Sequence, residues 1–592
     1  MPPGGYFGRA LVVDVGAGAA RTLDIPDRVL RDYVGGAGLG AWLMTELGPA
    51  GVDPLAPEAP IAFVFSPLVG TPLTTSAKFA VVAKSPLTGL LNDALASSQF
   101  AIAGKLTGHD AVVLTGRAPR PSVLLVDGPD VRLEPAVEWG RPAAAAETSV
   151  RERYGRSWRV AAIGPAGEAL VRYATISHDG RHAGRGGLGA VLGAKNVKAV
   201  AVRAATTVGP ADPDGLLAAA KDLRQRSFGA ATAKYRELGT LANLLSFNAI
   251  STLPTRNFRS ATFEGAHRLA AEDLAAARST ARNSCASCTI GCEHIYRSGS
   301  GRSMRVEYEN VFALGPLCGV ADPDQVLEAS ARCDELGLDT ISAGGTIAWA
   351  MECAERGMLD APWLRFGDGR ALLRALDEIG SGEGLGPLLR LGSRAAAREV
   401  GQGSADFAPQ VKGLELPGYE PRTLHAMALG LAVNARGADH NRSGAYEADL
   451  GGDLDRLDGG AAHVAAAIET EDRAAVMDSL ILCKFLRGVF TQDGADPFAE
   501  WSRLLSLVTG WDVDADELRG TARRIVLAKR AYNLREGWTP ADDWLPQRLL
   551  DESLQMGSGR VARLTPERLR SMVDGYYAAR GLDPEGRPVG VG

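Results

Sequence analysis

The sequence predicts an α+β fold in which a β-rich N-terminal domain of packed sheets precedes two mainly helical domains. Short β-branched runs fill the first two hundred residues. Beyond Val208-Gly-Pro-Ala-Asp-Pro213 the texture changes to long Ala- and Leu-rich segments of helical period. A length of 592 residues fits two to four domains.

Residues 10–13, 61–65, 79–82, 111–114, 122–126, 159–163 and 197–202 read as strands, most of them separated by Gly, Pro and Asp clusters. A helix is expected around residues 38–47. Asp212 before Pro213, and Asp322 before Pro323, each read as an N-cap followed by proline in the first helical turn, where no N–H is needed. Three domains follow: 1–209, β-rich; 210–405, helical; and 406–592, helical. The last break is set in the stretch near residues 401–408.

A formal net charge of −6 and a pI near 5.9 argue against a nucleic-acid surface. The N-terminus lacks a basic segment followed by an apolar one, so no signal peptide is expected. No apolar run reaches the length of a membrane span. Together with the cysteine usage, these features point to the cytoplasm.

Three cysteines, Cys285, Cys288 and Cys292, share the run Cys-Ala-Ser-Cys-Thr-Ile-Gly-Cys. A C-x2-C-x3-C triplet puts three thiolates on one turn-rich loop, where they can hold three corners of a cubane iron–sulfur cluster. Cys483 is the candidate fourth ligand. Structural zinc stays open, although a zinc ribbon would bring a second close pair, and the nearest further donor is His294. Disulfides are the other alternative, and seven cysteines is an odd number for it. Cys318, Cys333 and Cys353 lie in apolar helical stretches and read as packed thiols.

The run from Arg181 to Asn196 is rich in glycine, which lets backbone groups approach a ligand closely. Arg181, Arg185 and Lys195 bring charge suited to phosphates. The spacing matches neither a P-loop nor a dinucleotide fingerprint, and a tight connection between sheet layers is the alternative. Two further segments resemble each other: Asp334-Glu-Leu-Gly-Leu-Asp339 and Asp478-Ser-Leu-Ile-Leu-Cys483. The pairing suggests a twofold-related ligand held between two helical domains. Asp339 could equally cap the helix that follows.

In Val306-Glu-Tyr-Glu-Asn310, an extended backbone would put Glu307 and Glu309 on one side. A carboxylate held near a buried group can have its pKa raised enough to shuttle protons. His440, in Gly437-Ala-Asp-His-Asn-Arg442, is the histidine with the most suggestive neighbours. A surface or structural role is the alternative for each.

Taken together, these segments resemble the tungsten-dependent aldehyde:ferredoxin oxidoreductase family. The likeness runs through Lys84-Ser-Pro-Leu-Thr-Gly89, Ile163-Gly-Pro-Ala-Gly-Glu168, His182-Ala-Gly-Arg-Gly-Gly-Leu-Gly-Ala190 and the cysteine triplet. It continues in Glu307-Tyr-Glu-Asn-Val-Phe-Ala-Leu-Gly315, Cys333 to Ser342, Leu414-Glu-Leu-Pro-Gly-Tyr-Glu-Pro-Arg422 and Asp478 to Cys483.

The resemblance implies a metal, tungsten or molybdenum, held by two pterins between the domains, with one [4Fe-4S] cluster beside it. The implied cluster ligands are Cys285, Cys288, Cys292 and Cys483. The two pterins would be cradled by Asp334, Leu338 and Asp339, and by Asp478, Leu482 and Cys483. Lys78, Gly184, Arg185, Gly186 and Arg442 are implied as further cofactor contacts. Ala183 would lend a backbone carbonyl to a Mg2+ that bridges the pterin phosphates. Glu309 and His440 would serve catalysis, Glu309 moving the proton and His440, if protonated or a donor, stabilising an oxyanion. Small-molecule aldehydes are the implied substrates, and ferredoxin or a similar carrier the electron acceptor. A homodimer or a partner iron–sulfur subunit is compatible with the pattern.

Four departures from the family pattern stand out. Lys78 replaces an arginine that links cluster and pterin, which keeps the charge but loses the bidentate fork. Ile481 replaces a glycine, which suggests a local backbone change near Cys483. Leu95-Ala-Ser-Ser98 replaces Asn-Ser-Gly-Gly. Ala331 stands where some members carry the histidine of an intersubunit metal site, which argues against an iron-bridged dimer. The alternatives are an aryl-CoA reductase-type low-potential reductase and an electron-transfer subunit with a degenerate pterin site.

Overall fold

The computed structural model describes residues 2–589. Its first 203 residues build two six-stranded sheets. The first contains β1 (Arg9–Asp14), β2 (Ala19–Asp24), β3 (Ile61–Val64), β4 (Lys78–Lys84), β5 (Leu91–Ser97) and β6 (Ala111–Thr115), in the order β2-β1-β6-β3-β4-β5. The second contains β7 (Ser122–Asp127), β8 (Asp130–Pro135), β9 (Arg159–Ile163), β10 (Ile176–His178), β11 (Arg181–Ala183) and β12 (Val197–Arg203), in the order β11-β10-β9-β12-β7-β8.

The sheets pack face to face. Leu11, Val13, Phe63 and Phe79 of one share a core with Leu124, Val126, Ile163 and Val200 of the other. β3 is buried at every position because the helix Gly36–Leu47 covers its other face through Leu39 and Leu43. Gly40 makes that approach possible, since a Cβ there would stand 2.4 Å from Val82 Cγ2. The helix Ala143–Tyr154 covers the outer face of the second sheet.

Beyond residue 210 the chain is mainly helical, and one large core runs through both expected helical domains, joining Val311, Trp349, Met427 and Tyr576. One feature departs from the sequence reading. β13 (Ser279–Asn283), β14 (Glu293–Arg297) and β15 (Ser303–Val306) form an antiparallel sheet inside this helical part, and the cysteine triplet lies on the β13–β14 connection. The strands carry mixed polar and charged residues, which hid them from a hydrophobicity pattern. Among the described residues no helix is long and apolar enough to cross a membrane.

Two helices end on the β-rich part in matching ways. Pro323–Leu336 is capped by Asp322 and stops at Gly337, in the left-handed conformation. Thr175 N–H then donates to Gly337 O at 2.9 Å, and Asp339 N–H to Tyr173 O at 3.0 Å. Ala461–Leu480 stops at Ile481, also left-handed. There Ser66 Oγ donates to Leu480 O at 2.6 Å, and Gly38 N–H to Ser479 Oγ at 3.1 Å.

Candidate active site

The two helix ends open onto one cavity of about 470 Å³, which Asp334, Leu338 and Asp339 line from the first and Asp478 and Cys483 from the second. The Gly-rich segment reaches it from the second sheet. His182 Nε2 stands 3.1 Å from Asp334 Oδ1, and Ser177 Oγ lies 2.7 Å from the other ring nitrogen. Asp339 caps the helix Thr340–Glu355 through Ile341 N–H while facing the cavity, so the capping reading and the ligand reading describe one residue.

The triplet loop and Cys483 are joined by the loop before β4. Thr75 N–H donates to Ser287 O at 2.6 Å, and its Oγ1 accepts from Cys483 N–H at 3.4 Å. Thr74 Oγ1 accepts from Thr289 N–H at 3.1 Å. Cys285, Cys292 and Cys483 line the cavity, and Cys288 packs against the apolar cluster that holds Ile290 and Leu482. Burial raises the thiol pKa values of Cys285, Cys288 and Cys292, Cys288 to about 11, and the charge of Cys483 adds to the rise in each. Three thiols that each feel the charge of Cys483 stand ready for a group that stabilises thiolates. Among the described residues no three Cys, His, Asp or Glu side chains converge as the ligands of a single ion would. His294 Nε2 instead faces Tyr235 O at 3.4 Å. All seven cysteines are free, and Cys318, Cys333 and Cys353 are buried.

Cations outnumber carboxylates in the wall, nine to six. Arg442 spans two carboxylates, Asp93 Oδ2 at 2.6 Å and Asp478 Oδ2 at 3.1 Å. Lys484 and Lys529 complete the network, each 3.1 Å from one of these acids. Burial alone would raise the Asp93 pKa, but Arg442, Lys529 and Arg436 bring it down to about 2. Arg185 lines the cavity and also cross-links its walls: its guanidinium donates to Ala438 O at 2.8 Å and Glu415 O at 2.5 Å and faces Asp339 at 3.4 Å. Lys195 departs from the sequence reading: its Nζ is buried on Pro57 O and Gly116 O, away from the cavity.

Glu309 and His440 meet in the same wall, Oε1 to Nδ1 at 3.7 Å. The backbone here is helical, not extended. Asn310 Oδ1 accepts from Glu307 N–H at 3.0 Å where the helix Tyr308–Leu314 starts, and the helical turn carries Glu309 inward. Burial lifts the Glu309 pKa to about 8, opposed by the Gly418 N–H at 3.0 Å on Oε2. Burial likewise lowers His440 to about 3, so its ring is neutral at physiological pH. Asn441 Nδ2 lies 2.9 Å from His440 Nε2, and an amide donating there leaves the proton on Nδ1, facing Glu309. Glu309 Oε1 and His440 Nδ1 have no hydrogen-bond partner within the protein.

Lys78, Gly184 and Arg442 also reach the cavity wall, as does Leu95 of the altered stretch. Lys78 lies close enough to Cys285 for its charge to favour the thiolate. Ala183, Gly186 and Leu482 stand behind the wall. Ala183 is fully buried in β11, Leu482 packs in the apolar core with Met477, and Gly186 lies against the Asn92 side chain. Asp93, Arg436 and Asp439 escaped sequence reading. Asp93 sits within β5, and its role appears only when residues some 350 positions apart meet.

The donor set fits an anionic, phosphate-bearing cofactor beside a cluster. A cation-rich wall and buried polar atoms without protein partners (Glu309 Oε1, His440 Nδ1) face one cavity.

Comparison with known proteins places nearly the whole chain in one family. Residues 10–204 match the model for the aldehyde ferredoxin oxidoreductase N-terminal domain, and residues 218–590 the model for domains 2 and 3. The tungsten-containing aldehyde ferredoxin oxidoreductase of Pyrococcus furiosus is 34% identical, over 98% of this chain and 97% of that protein. The protein of the same description from Thermococcus kodakarensis is 33% identical over the same shares. An aliphatic sulfonate oxidoreductase, WOR-like subunit, from Pyrococcus furiosus is 27% identical over 98% of this chain and 95% of its own length. The active site complex BamBC of benzoyl coenzyme A reductase shares the fold, with a TM-score of 0.84, 21% identity, and coverage of 99% of this chain and 96% of its own.

Proposed function

The chain belongs to the aldehyde ferredoxin oxidoreductase family and is an oxidoreductase, and we propose that it oxidises aldehydes to carboxylic acids and passes the electrons to ferredoxin or a similar carrier. The observation that carries this reading is the meeting of Glu309 and His440 with both Asp-x-x-x-Leu helix ends and Cys483 around one cavity.

Cys285, Cys288, Cys292 and Cys483 would hold the [4Fe-4S] cluster. Asp334, Leu338, Asp339, Asp478, Leu482 and Cys483 would hold the two pterins, with Leu482 acting through its backbone. Lys78 would bridge the two groups, and Mg2+ would join the pterin phosphates near Ala183 and Gly184. When bound, the tungsten (or molybdenum) bis-pterin would supply the oxygen-transfer and two-electron chemistry.

The protein's part is positioning and proton handling. Per aldehyde a C–H bond breaks, a C–O bond from water forms, and two electrons and three protons leave as the carboxylate forms. Glu309 Oε1, free of protein partners and with a pKa near 8, can take and release one of those protons near neutral pH. His440 acts as a neutral donor through Nδ1 and not as a cation. The division at residues 209/210 and 405/406 and residence in the cytoplasm belong to the same proposal; the thiols kept for cluster ligation support the latter.

Anaerobic assay of the purified holoenzyme with an aldehyde and a viologen dye tests the reading. Dye reduction with stoichiometric acid formation is expected. Reduction of an aryl-CoA thioester with no aldehyde oxidation would contradict it.

A further inference from the structure

Beside Glu309 and His440 the cavity wall is aromatic. Tyr419 stacks on His440 with ring centroids 5.1 Å apart, and on Tyr446 at 4.6 Å. Phe247 lies 5.4 Å from Tyr419 and meets Tyr308 edge-on at 5.2 Å. All four line the cavity, in a chain where aromatic residues make up only 6% of positions. Leu450, 37% exposed, continues this apolar wall to where the cavity meets solvent.

The polar ends of these rings are already engaged. Tyr308 OH donates to Gly418 O, and Tyr446 OH accepts from Arg487 at 2.5 Å. The neighbouring cations are engaged too. Arg487 is paired with Glu447, and Lys234 Nζ donates to Asn243 Oδ1 at 2.7 Å. A hydroxylated or phosphorylated aldehyde would find few free partners on this wall and would lose its hydration there. An aryl group would gain offset and edge-to-face contacts. Because the rings brace one another, the wall is rigid and its selectivity is built in beforehand.

We infer that the enzyme selects aryl and arylalkyl aldehydes, the ring lying along Phe247, Tyr419 and Tyr446 with the carbonyl carbon towards Glu309 and His440. This rests on the aldehyde-oxidising reading above.

The test is kcat/KM of the holoenzyme with benzyl viologen for benzaldehyde, phenylacetaldehyde, propanal and glyceraldehyde 3-phosphate. An advantage of about tenfold or more for the aryl substrates over propanal is expected, the size of one to two aromatic contacts. Equal or better use of propanal or of the phosphorylated aldehyde overturns the inference and leaves the aldehyde-oxidising reading standing. No turnover of any aldehyde overturns both. Phe247→Leu, which keeps an apolar side chain in the core, is expected to narrow the aryl-to-propanal ratio by about threefold or more while iron and pterin content stay at wild-type level. An unchanged ratio in that variant removes Phe247 from the specificity wall and overturns the assignment.

Discussion

Ile481 holds the left-handed backbone conformation that Gly337 holds at the matching helix end, φ 64° and ψ 43° against φ 77° and ψ 52°. Ile481 therefore takes, on the path into Cys483, a backbone conformation that glycine adopts more readily. A β-branched residue in this region carries a strain of about 1–2 kcal/mol. Burial offsets it: the Ile481 side chain is 1% exposed and fills space beside Gly36. Gly337 has no such room, since a Cβ there would meet Gly164 N at 3.0 Å. Ile481→Gly is expected to relieve the strain but lose more in packing, a net destabilisation of about 1–3 kcal/mol. Denaturant melts of the two proteins check it.

Glu309 should make stability depend on pH in a specific direction. Its folded pKa is near 8, above the usual 4.5 of an unfolded glutamate. Between those values the folded protein keeps a proton that the unfolded chain releases, so stability falls as pH rises through that window. Glu309→Gln removes this titration. The variant should gain stability on the wild type as pH climbs from 5 towards 9, by about 2–4 kcal/mol at the top. Aldehyde oxidation should fall about 100-fold or more. Melts across that pH range, alongside a rate assay, test both.

Removing Arg442 should be costly because it leaves two buried carboxylates facing each other. Arg442→Ala is expected to lose about 3–5 kcal/mol, and Arg442→Lys less. Asp93 adds an acid limb. Its folded pKa of about 2 lies below the unfolded 3.8, so its contribution is present above about pH 4 and is lost as pH falls towards 2. Asp93→Asn should weaken the protein at neutral pH and flatten that acid limb in a melt series.

The cysteines should separate into two classes. Cys483→Ser and Cys292→Ser are expected to lose iron and the visible absorbance of the cluster. Cys353→Ser should keep both, because its thiol is buried away from the cavity. Thr75→Val deletes only the Oγ1 contact to Cys483 N–H, and a loss of about 1 kcal/mol with the cluster retained is expected. Iron analysis and absorption spectra of the four variants decide it.

Much of the fold was legible because buried strands are written in β-branched residues. Six of the seven runs read as strands fall within strands of the two sheets, and the seventh, 61–65, overruns β3 by Phe65 alone. β2 and β8 were not legible, since they are exposed or half-exposed strands of mixed composition at sheet edges. β5, Leu-Asn-Asp-Ala-Leu-Ala-Ser, lacks β-branched residues and is held by pairing with β4. At the site, spacing picked out the cysteine triplet and the paired helix ends because each is a local pattern. The Arg442 clamp depends on Asp93, and the link between the two cysteine segments on Thr74 and Thr75, contacts made only by long-range folding. Lys195 misled because a basic residue in a Gly-rich run reads the same whether its ammonium faces a ligand or two buried carbonyls.

The assignment of a pterin-bound metal beside a cluster is tested most directly by what the cavity holds. Metal and pterin analysis of anaerobically purified protein should find tungsten or molybdenum with pterin, and about four iron atoms per chain. Zinc on the cysteines, with neither tungsten nor molybdenum and no releasable pterin, would contradict it.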